Sequence, residues 1–190
     1  MNTKSQKSDK KTSQLTTHNS RLIFITGGVR SGKSEYAMSM AEVIDGRKAF
    51  IATAESLDDE MAERIKRHRE RRNQSWDTYE APLDMYSTLR DISENYSVIL
   101  IDCITLWLSN LILSGKNADN IFIIVDEFLR IIATCNSTVI VVSNEVGWGI
   151  VPDNRIAREF RDTAGRVNQM IASAADSVYM VISGIPLRLK

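Results

Sequence analysis

Short apolar runs alternate with longer amphipathic segments along most of this chain, and this alternation predicts strands that take turns with helices. Several runs, VILI and VIVV among them, are apolar without interruption, which is typical of parallel strands covered on both faces. The predicted strands are residues 22–25, 48–53, 97–102, 138–143 and 177–183, with a short last piece from Pro186. The predicted helices are residues 35–42, 58–72, 105–114, 120–134 and 154–175. The pattern therefore predicts an α/β fold with a mostly parallel central sheet flanked by helices.

The segment that follows the first predicted strand, GGVRSGKS at residues 27–34, fits the phosphate-binding pattern G-x-x-x-x-G-K-[ST]. The glycines let successive N–H groups face one point, to which the helix N-terminus adds its positive dipole end. Lys33 is expected to reach the β and γ phosphates, and the Ser34 hydroxyl to bind Mg²⁺. A chance glycine-rich turn is the alternative, but the strand before the segment and the helix after it favour the phosphate site.

Working residues of an α/β sheet gather at the carboxyl ends of its parallel strands, here Thr53, Asp102, Asn144 and Glu145. Asp102 ends the run VILID, the form of a Walker B strand whose aspartate helps to hold Mg²⁺ near Ser34. A strand that merely ends in aspartate is the alternative, and the upstream phosphate loop favours the metal or nucleotide role. Glu145 begins a glycine-containing loop, where a substrate contact and a plain turn with a hydrophobic anchor are equally open.

The predicted helix 58–72, DDEMAERIKRHRERR, carries acidic residues at its start and basic residues at its end. His68 continues the apolar ridge of this helix, and arginines flank it, an arrangement suited to receiving a phosphoryl or nucleotidyl group. A neutral imidazole can also act as a nucleophile near pH 7. A solvated amphipathic helix is the alternative, and the residues alone leave both open.

Composition narrows the class of protein. At 190 residues and 43% hydrophobic, the chain can bury one core, so residues 21–190 are expected to form a single domain. Equal numbers of basic and acidic residues, 24 each, provide no overall field for nucleic acid, which disfavours a duplex-binding protein. The two cysteines, Cys103 and Cys135, fit a reducing, cytoplasmic compartment, and no apolar run reaches the roughly 18 residues of a membrane span.

The first 20 residues contain only Met1 and Leu15 as apolar side chains, with four lysines against one aspartate. Such a segment can bury too little apolar surface to offset the conformational entropy that it would lose on ordering. Residues 1–20 are therefore expected to form a disordered tail. The tail lacks the apolar centre of a signal peptide, and a solvated extension fits it better than an organelle transit peptide.

Several separated motifs together resemble one family, the bifunctional adenosylcobinamide kinase and adenosylcobinamide-phosphate guanylyltransferases of cobalamin biosynthesis. The motifs are GGVRSGKS, FIATAESLDDEM, RIKRHRERR, WDTYEAP, VILIDCITLWLSNL, VVSNEVGWGIVPDNRIAREFRDTAGRVNQ and AADSVYMVISGIPLRLK. The resemblance runs from about residue 21 to the end, and the block from SNEVG to GRVNQ is much more particular than the phosphate loop. One departure is Trp148, where the family usually has Met between the two glycines.

The resemblance implies a RecA-like P-loop fold and two successive reactions. A nucleoside triphosphate, ATP or GTP, phosphorylates adenosylcobinamide, and GTP then supplies GMP to adenosylcobinamide phosphate. It further implies that His68 carries the GMP and that the protein is a homotrimer with sites between subunits. The implied nucleotide-binding residues are Gly27, Gly28, Val29, Arg30, Ser31, Gly32, Lys33, Ser34, Ala52, Thr53, Ala54, Arg69, Glu70, Arg71, Arg72, Glu80 and Asp102.

Two other functions fit parts of the sequence. One is a single-activity P-loop kinase of another small hydroxyl compound, in which the basic helix serves only as a lid. The other is a non-catalytic RecA-like NTP-binding module that regulates a partner. Covalent GMP on the protein and turnover of a corrinoid separate the bifunctional enzyme from both.

Overall fold

The computed structural model describes residues 22–55, residue 63 and residues 75–190. The strands in these ranges are β1 Leu22–Gly27, β2 Lys48–Ala52, β3 Trp76–Glu80, β4 Val98–Asp102, β5 Thr138–Val142, β6 Ser177–Ile182 and β7 Ile185–Arg188. The α-helices are α1 Lys33–Glu42, α2 Met85–Ile92, α3 Ile104–Leu113, α4 Ala118–Thr134 and α5 Arg155–Ala174. A single 3₁₀ turn, Ser93–Asn95, follows α2.

These strands form one sheet in the order β3-β2-β4-β5-β1-β6-β7. Neighbouring strands are parallel except β6 and β7, which pair antiparallel. The strand β5 therefore lies between β1 and β4. Because parallel strands end at the same edge of a sheet, the carboxyl ends of β1, β5 and β4 stand side by side. The predicted α/β architecture with a mostly parallel sheet is confirmed.

Both faces of the sheet are covered, as the uninterrupted apolar strands require. On one face, Phe24 of β1 packs with Leu89, Trp107, Phe128 and Val167 from helices α2 to α5. On the other face, side chains of β1, β2 and β4 pack against α1, and the buried members include Ile25, Phe50, Leu100, Ala37 and Ala41. Full burial of a Leu, Ile or Phe side chain contributes about 1.5–3 kcal/mol, so the two layers hold the strand ends in fixed positions. None of the described helices combines the length and the apolarity that a bilayer span needs.

The predicted and observed elements differ by at most two residues at either end, apart from three segments. The strand β3 and the helix α2 were not predicted. β3 is an edge strand in which only Trp76 is buried, so it lacks an apolar run, and α2 has eight residues and no side-chain cap at its start. Of the predicted helix 58–72, only Glu63 is described, and it is helical. The predicted tail, residues 1–20, lies outside the described residues.

Candidate active site

The phosphate loop has the backbone that its glycines predict. Gly27 and Gly32 have φ values of 147° and 95°, and Arg30 also has a positive φ, 56°. The amide of Ser31 donates to the carbonyl of Gly28 at 3.3 Å, and α1 starts at Lys33. The loop therefore curls directly into a helix N-terminus, where backbone N–H groups and the helix dipole favour an anion.

The turn between β6 and β7 packs against this loop. The amide of Gly184 donates to the carbonyl of Ser31 at 2.8 Å. A Cβ at Gly32 would lie 3.2 Å from the Cα of Gly184, and a Cβ at Gly27 would clash with the carbonyl oxygen of Val181. The two glycines are thus required by close packing as well as by their φ angles.

Lys33 lies within the loop and is only 6% exposed. Its Nζ donates to the carbonyl oxygen of Gly28 and lies 3.5 Å from Oγ of Ser31. These contacts hold the ammonium group at the concave side of the loop. The oxygens of an arriving phosphate would replace the loop oxygens as partners of the ammonium group. The positive charge is therefore in place before a ligand binds.

The loop and the predicted Walker B strand meet through their side chains. The Ser34 hydroxyl donates to Oδ2 of Asp102 at 2.6 Å. A hydroxyl and a carboxylate are hard oxygen donors of the kind that Mg²⁺ prefers, and Mg²⁺ usually takes one or two carboxylates together with phosphate and water oxygens. The pair therefore fits the predicted metal ligands. No cluster of three His, Cys, Asp or Glu side chains that could hold a metal occurs among the described residues.

The sheet register aligns three of the predicted site residues. Ala52 stands beside Asp102 of β4 on one side and beside Glu80 of β3 on the other. Thr53 and Ala54 follow Ala52 at the same edge, which brings this part of the predicted site next to Asp102. Glu80 is exposed and Ala52 is half-buried at this edge.

Thr53 is fully buried. Its hydroxyl donates to the carbonyl of Cys103 at 2.7 Å and accepts from the amide of Cys103 at 2.8 Å. Asn110 adds a third tie, because its Nδ2 donates to the carbonyl of Thr53 at 2.9 Å. The side chain of Thr53 thus fixes the end of β2 to the residue after Asp102.

Cys103 is buried beside this tie. Burial, with a smaller contribution from the Asp102 carboxylate, raises the pKa of the Cys103 thiol to about 12. The Cys103 thiol is therefore protonated at neutral pH and is not a thiolate nucleophile.

Glu145 lies at the same edge, beyond the end of β5. Its amide donates to the carbonyl of Gly27 at 3.0 Å. Its Oε1 accepts from the Thr26 hydroxyl at 2.9 Å and from Nδ2 of Asn168 at 3.2 Å. These bonds join Glu145 to the end of β1, where the phosphate loop begins, and to α5. Thr26 and Asn168 were not among the predicted site residues.

Two large apolar residues of the loop after Glu145 are exposed, Trp148 at 75% and Ile150 at 96%. Trp148 therefore does not anchor the loop against the described part of the chain. The loop ends at α5, where the Asn154 side chain caps the amides of Ile156 and Ala157. Arg158 donates to the carbonyls of Pro152 and Asp153 and ties the loop to the helix.

The predicted residues of the basic helix, His68, Arg69, Glu70, Arg71 and Arg72, lie outside the described residues. The other predicted site residues surround one edge of the sheet. The phosphate loop, with Gly28, Val29 and Arg30 exposed, forms its centre, and Asp102 and the row ending at Glu80 lie on one side.

Comparison with known families agrees with this geometry. The sequence model of the family described as cobinamide kinase / cobinamide phosphate guanyltransferase, CobU, matches residues 23–189. The bifunctional adenosylcobalamin biosynthesis protein CobU of Salmonella typhimurium strain LT2 is 44% identical over 184 residues, 89% of this chain and 99% of that protein. CobU of Escherichia coli K12 is 39% identical over 183 residues, with 89% and 99% covered.

Among solved structures, a prototypical ATPase from the type III secretion system of pathogenic bacteria is similar with a TM-score of 0.53 and 11% identity. The match covers 85% of this chain and 51% of that chain, so this chain spans about half the length of the ATPase. At this identity the likeness concerns the fold alone, and it agrees with an α/β ATPase-like sheet around a phosphate loop.

Proposed function

This chain belongs to the cobinamide kinase and cobinamide phosphate guanyltransferase family, and from that premise we propose two successive reactions. A nucleoside triphosphate, ATP or GTP, first phosphorylates the aminopropanol hydroxyl of adenosylcobinamide. GTP then supplies GMP to adenosylcobinamide phosphate, which gives adenosylcobinamide-GDP and pyrophosphate. The observation that carries the proposal is the phosphate loop whose Ser34 hydroxyl lies 2.6 Å from the Asp102 carboxylate.

Phosphoryl transfer needs alignment of the reacting groups and neutralisation of the charge on the phosphate oxygens. The N–H groups of residues 27–34 and the N-terminus of α1 supply fixed donors, and Lys33 adds a full positive charge at the concave side of the loop. These groups are placed before the nucleotide arrives, so little reorganisation accompanies the reaction.

Ser34 and Asp102 would hold a Mg²⁺ ion at this site, because their oxygens lie side by side and are the hard donors that this ion takes. When bound, the ion supplies positive charge to the β and γ phosphate oxygens. Ala52 and Glu80, aligned with Asp102 by the sheet register, and the neighbouring Thr53 and Ala54 would line the nucleotide site on that side. Thr53 would act through its backbone, since its hydroxyl is bonded to Cys103.

For the second reaction we infer that His68 is the nucleophile. Its imidazole nitrogen would attack the α-phosphorus of GTP, the bond to the pyrophosphate oxygen would break, and pyrophosphate would leave with the electron pair. An oxygen of the phosphate group of adenosylcobinamide phosphate would then attack the phosphorus of the GMP, and the histidine would leave. Arg69, Arg71 and Arg72 would offset negative charge on the triphosphate. Glu70, between Arg69 and Arg71 in the sequence, would also contact the nucleotide.

We also propose that the protein works as a cytoplasmic homotrimer with its sites between subunits, as the family resemblance implies. The exposed apolar residues of the loop after Glu145, Trp148 at 75% and Ile150 at 96%, are consistent with a subunit contact at this edge. Mass measurement of the native assembly by light scattering tests the trimer, and a monomeric protein with both activities would contradict it.

The direct test of the two reactions is mass spectrometry of the corrinoid products after adenosylcobinamide, Mg²⁺ and GTP are mixed with the protein. The proposal predicts adenosylcobinamide phosphate first and adenosylcobinamide-GDP later. Accumulation of the phosphate alone would indicate a single-activity kinase. Binding of GTP with no corrinoid turnover would indicate an NTP-binding module.

A further inference from the structure

The two proposed reactions assign no role to Glu145. It follows β5, the strand between the phosphate-loop strand β1 and the Asp102 strand β4. Its backbone amide is bonded to the carbonyl of Gly27, the first glycine of the loop. The carboxylate therefore stands at the sheet edge where the phosphate loop and Asp102 meet.

The carboxylate is fixed by two buried donors. Thr26 is 5% exposed and Asn168 is 7% exposed, and both donate to Oε1 of Glu145. The orientation of the Asn168 amide is set in turn, because its Oδ1 accepts from the Ser143 hydroxyl at 2.7 Å and its Nδ2 also donates to the carbonyl of Asn144. Such a chain of bonds determines both the place and the rotation of the carboxylate.

Within the part of the chain that the structure describes, both hydrogen bonds of this carboxylate end on Oε1. Glu145 is half-buried, and its other oxygen, Oε2, accepts no hydrogen bond from the residues that the structure describes. A carboxylate with one oxygen anchored and the other available as an acceptor is the arrangement of a general base.

We propose that Glu145 is the general base of the phosphoryl-transfer step, an inference that rests on the proposed kinase function. The acceptor hydroxyl of the corrinoid gives its proton to Oε2 as its oxygen forms the bond to the γ-phosphorus. The bond between the γ-phosphorus and the bridging oxygen of the β-phosphate breaks, and the nucleoside diphosphate leaves with the electron pair. The neutral carboxylic acid then returns its proton to water.

The base acts on the corrinoid hydroxyl alone. The formation of guanylyl-histidine from GTP releases pyrophosphate and involves no acceptor hydroxyl, so it does not use Glu145. A glutamate that only supported the phosphate loop would serve both reactions, since both use the same loop. This difference separates a catalytic role from a structural one.

The experiment compares the wild type with Glu145→Gln, Glu145→Ala and the matched control Glu127→Gln, an exposed acid on α4. Glu145→Gln keeps an oxygen for Thr26 and Asn168. We expect it to slow single-turnover formation of adenosylcobinamide phosphate by about 10²-fold or more, while affinity for a non-hydrolysable GTP analogue and covalent labelling by GTP change less than about twofold. Formate added to Glu145→Ala is expected to restore part of the kinase rate, and Glu127→Gln is expected to match the wild type.

A kinase rate in Glu145→Gln within about threefold of the wild type would overturn the inference and leave the proposed function intact. A parallel loss of nucleotide affinity and GTP labelling, without rescue by formate, would assign Glu145 a supporting role only and would also overturn it. A wild-type protein that forms no adenosylcobinamide phosphate would overturn both the proposed function and the inference.

Discussion

The Ser34 hydroxyl donates to Oδ2 of Asp102 at 2.6 Å, although 68 residues separate the two along the chain. The contact arises because α1 begins directly after the phosphate loop and β4 ends at the same edge of the sheet. It brings a hydroxyl oxygen and a carboxylate oxygen to one point beside the loop, where a cation bound to a triphosphate would be held.

Replacing Asp102 by Asn removes one negative charge at this point while keeping the size of the side chain. We expect Asp102→Asn to lower the kinase rate about 10²- to 10³-fold and to raise the Mg²⁺ concentration needed for half-maximal activity. Kinase rates measured across a Mg²⁺ titration check this, with Asp126→Asn on the exposed surface of α4 as the control. An unchanged Mg²⁺ dependence in Asp102→Asn would show that this carboxylate is not a metal ligand.

Lys33 is bonded within the phosphate loop, which we propose both reactions use. Lys33→Ala is therefore expected to lower both kinase and guanylyl-transfer rates by at least about 10³-fold, because the charge that meets the β and γ phosphates is lost. Lys116→Ala, which removes an exposed lysine away from the loop, is expected to leave both rates unchanged. Retention of either activity in Lys33→Ala would separate that reaction from the phosphate loop.

The buried hydroxyl of Thr53 satisfies both the amide and the carbonyl of Cys103. Thr53→Val keeps the shape but leaves these two backbone groups without that partner, so the free energy of unfolding is expected to fall by about 1–3 kcal/mol. Urea denaturation measures the change, and Thr53→Ser, which retains the hydroxyl, is the matched control. If Thr53→Val were as stable as Thr53→Ser, the hydroxyl would not support the end of β2.

The raised pKa of Cys103 has a consequence for its reactivity. With a pKa of about 12, the thiol remains protonated near neutral pH, and burial also blocks access to it. We expect iodoacetamide to leave Cys103 unmodified in the folded protein at about pH 8 and to label it fully in urea. Peptide mass spectrometry reads both states. Rapid labelling of the folded protein would indicate that β4 opens readily at its carboxyl end.

The strands that could be predicted from the sequence are those with apolar surroundings on both faces. β1, β4 and β5 are buried on both faces, so their apolar runs identify them without knowledge of the neighbours. β3 is a sheet edge with one buried residue, Trp76, and such a strand is defined by its pairing with β2 rather than by its own pattern. The pairing partner of such a strand depends on the topology of the whole sheet, which the pattern within one segment does not show.

The same distinction applies to the site. The phosphate loop is a local motif, and Asp102 is identified by the strand that precedes it. The bonds that join Thr26, Glu145 and Asn168 connect three distant segments, and they form only because β5 lies beside β1 and α5 packs beneath them. A signal was present in Asn168, a polar residue on the buried stripe between Ala164 and Ile171, but its partner could not be read from it.

The measurement that tests the account most directly is covalent labelling with GTP that carries the label on its α-phosphorus. The account predicts an acid-labile label on the wild-type protein. The label is lost in His68→Ala and kept in His18→Ala, which changes the other histidine of the chain. His68→Ala is also expected to retain the kinase reaction. Absence of label from the wild type, or its persistence in His68→Ala, would contradict guanylyl transfer through His68.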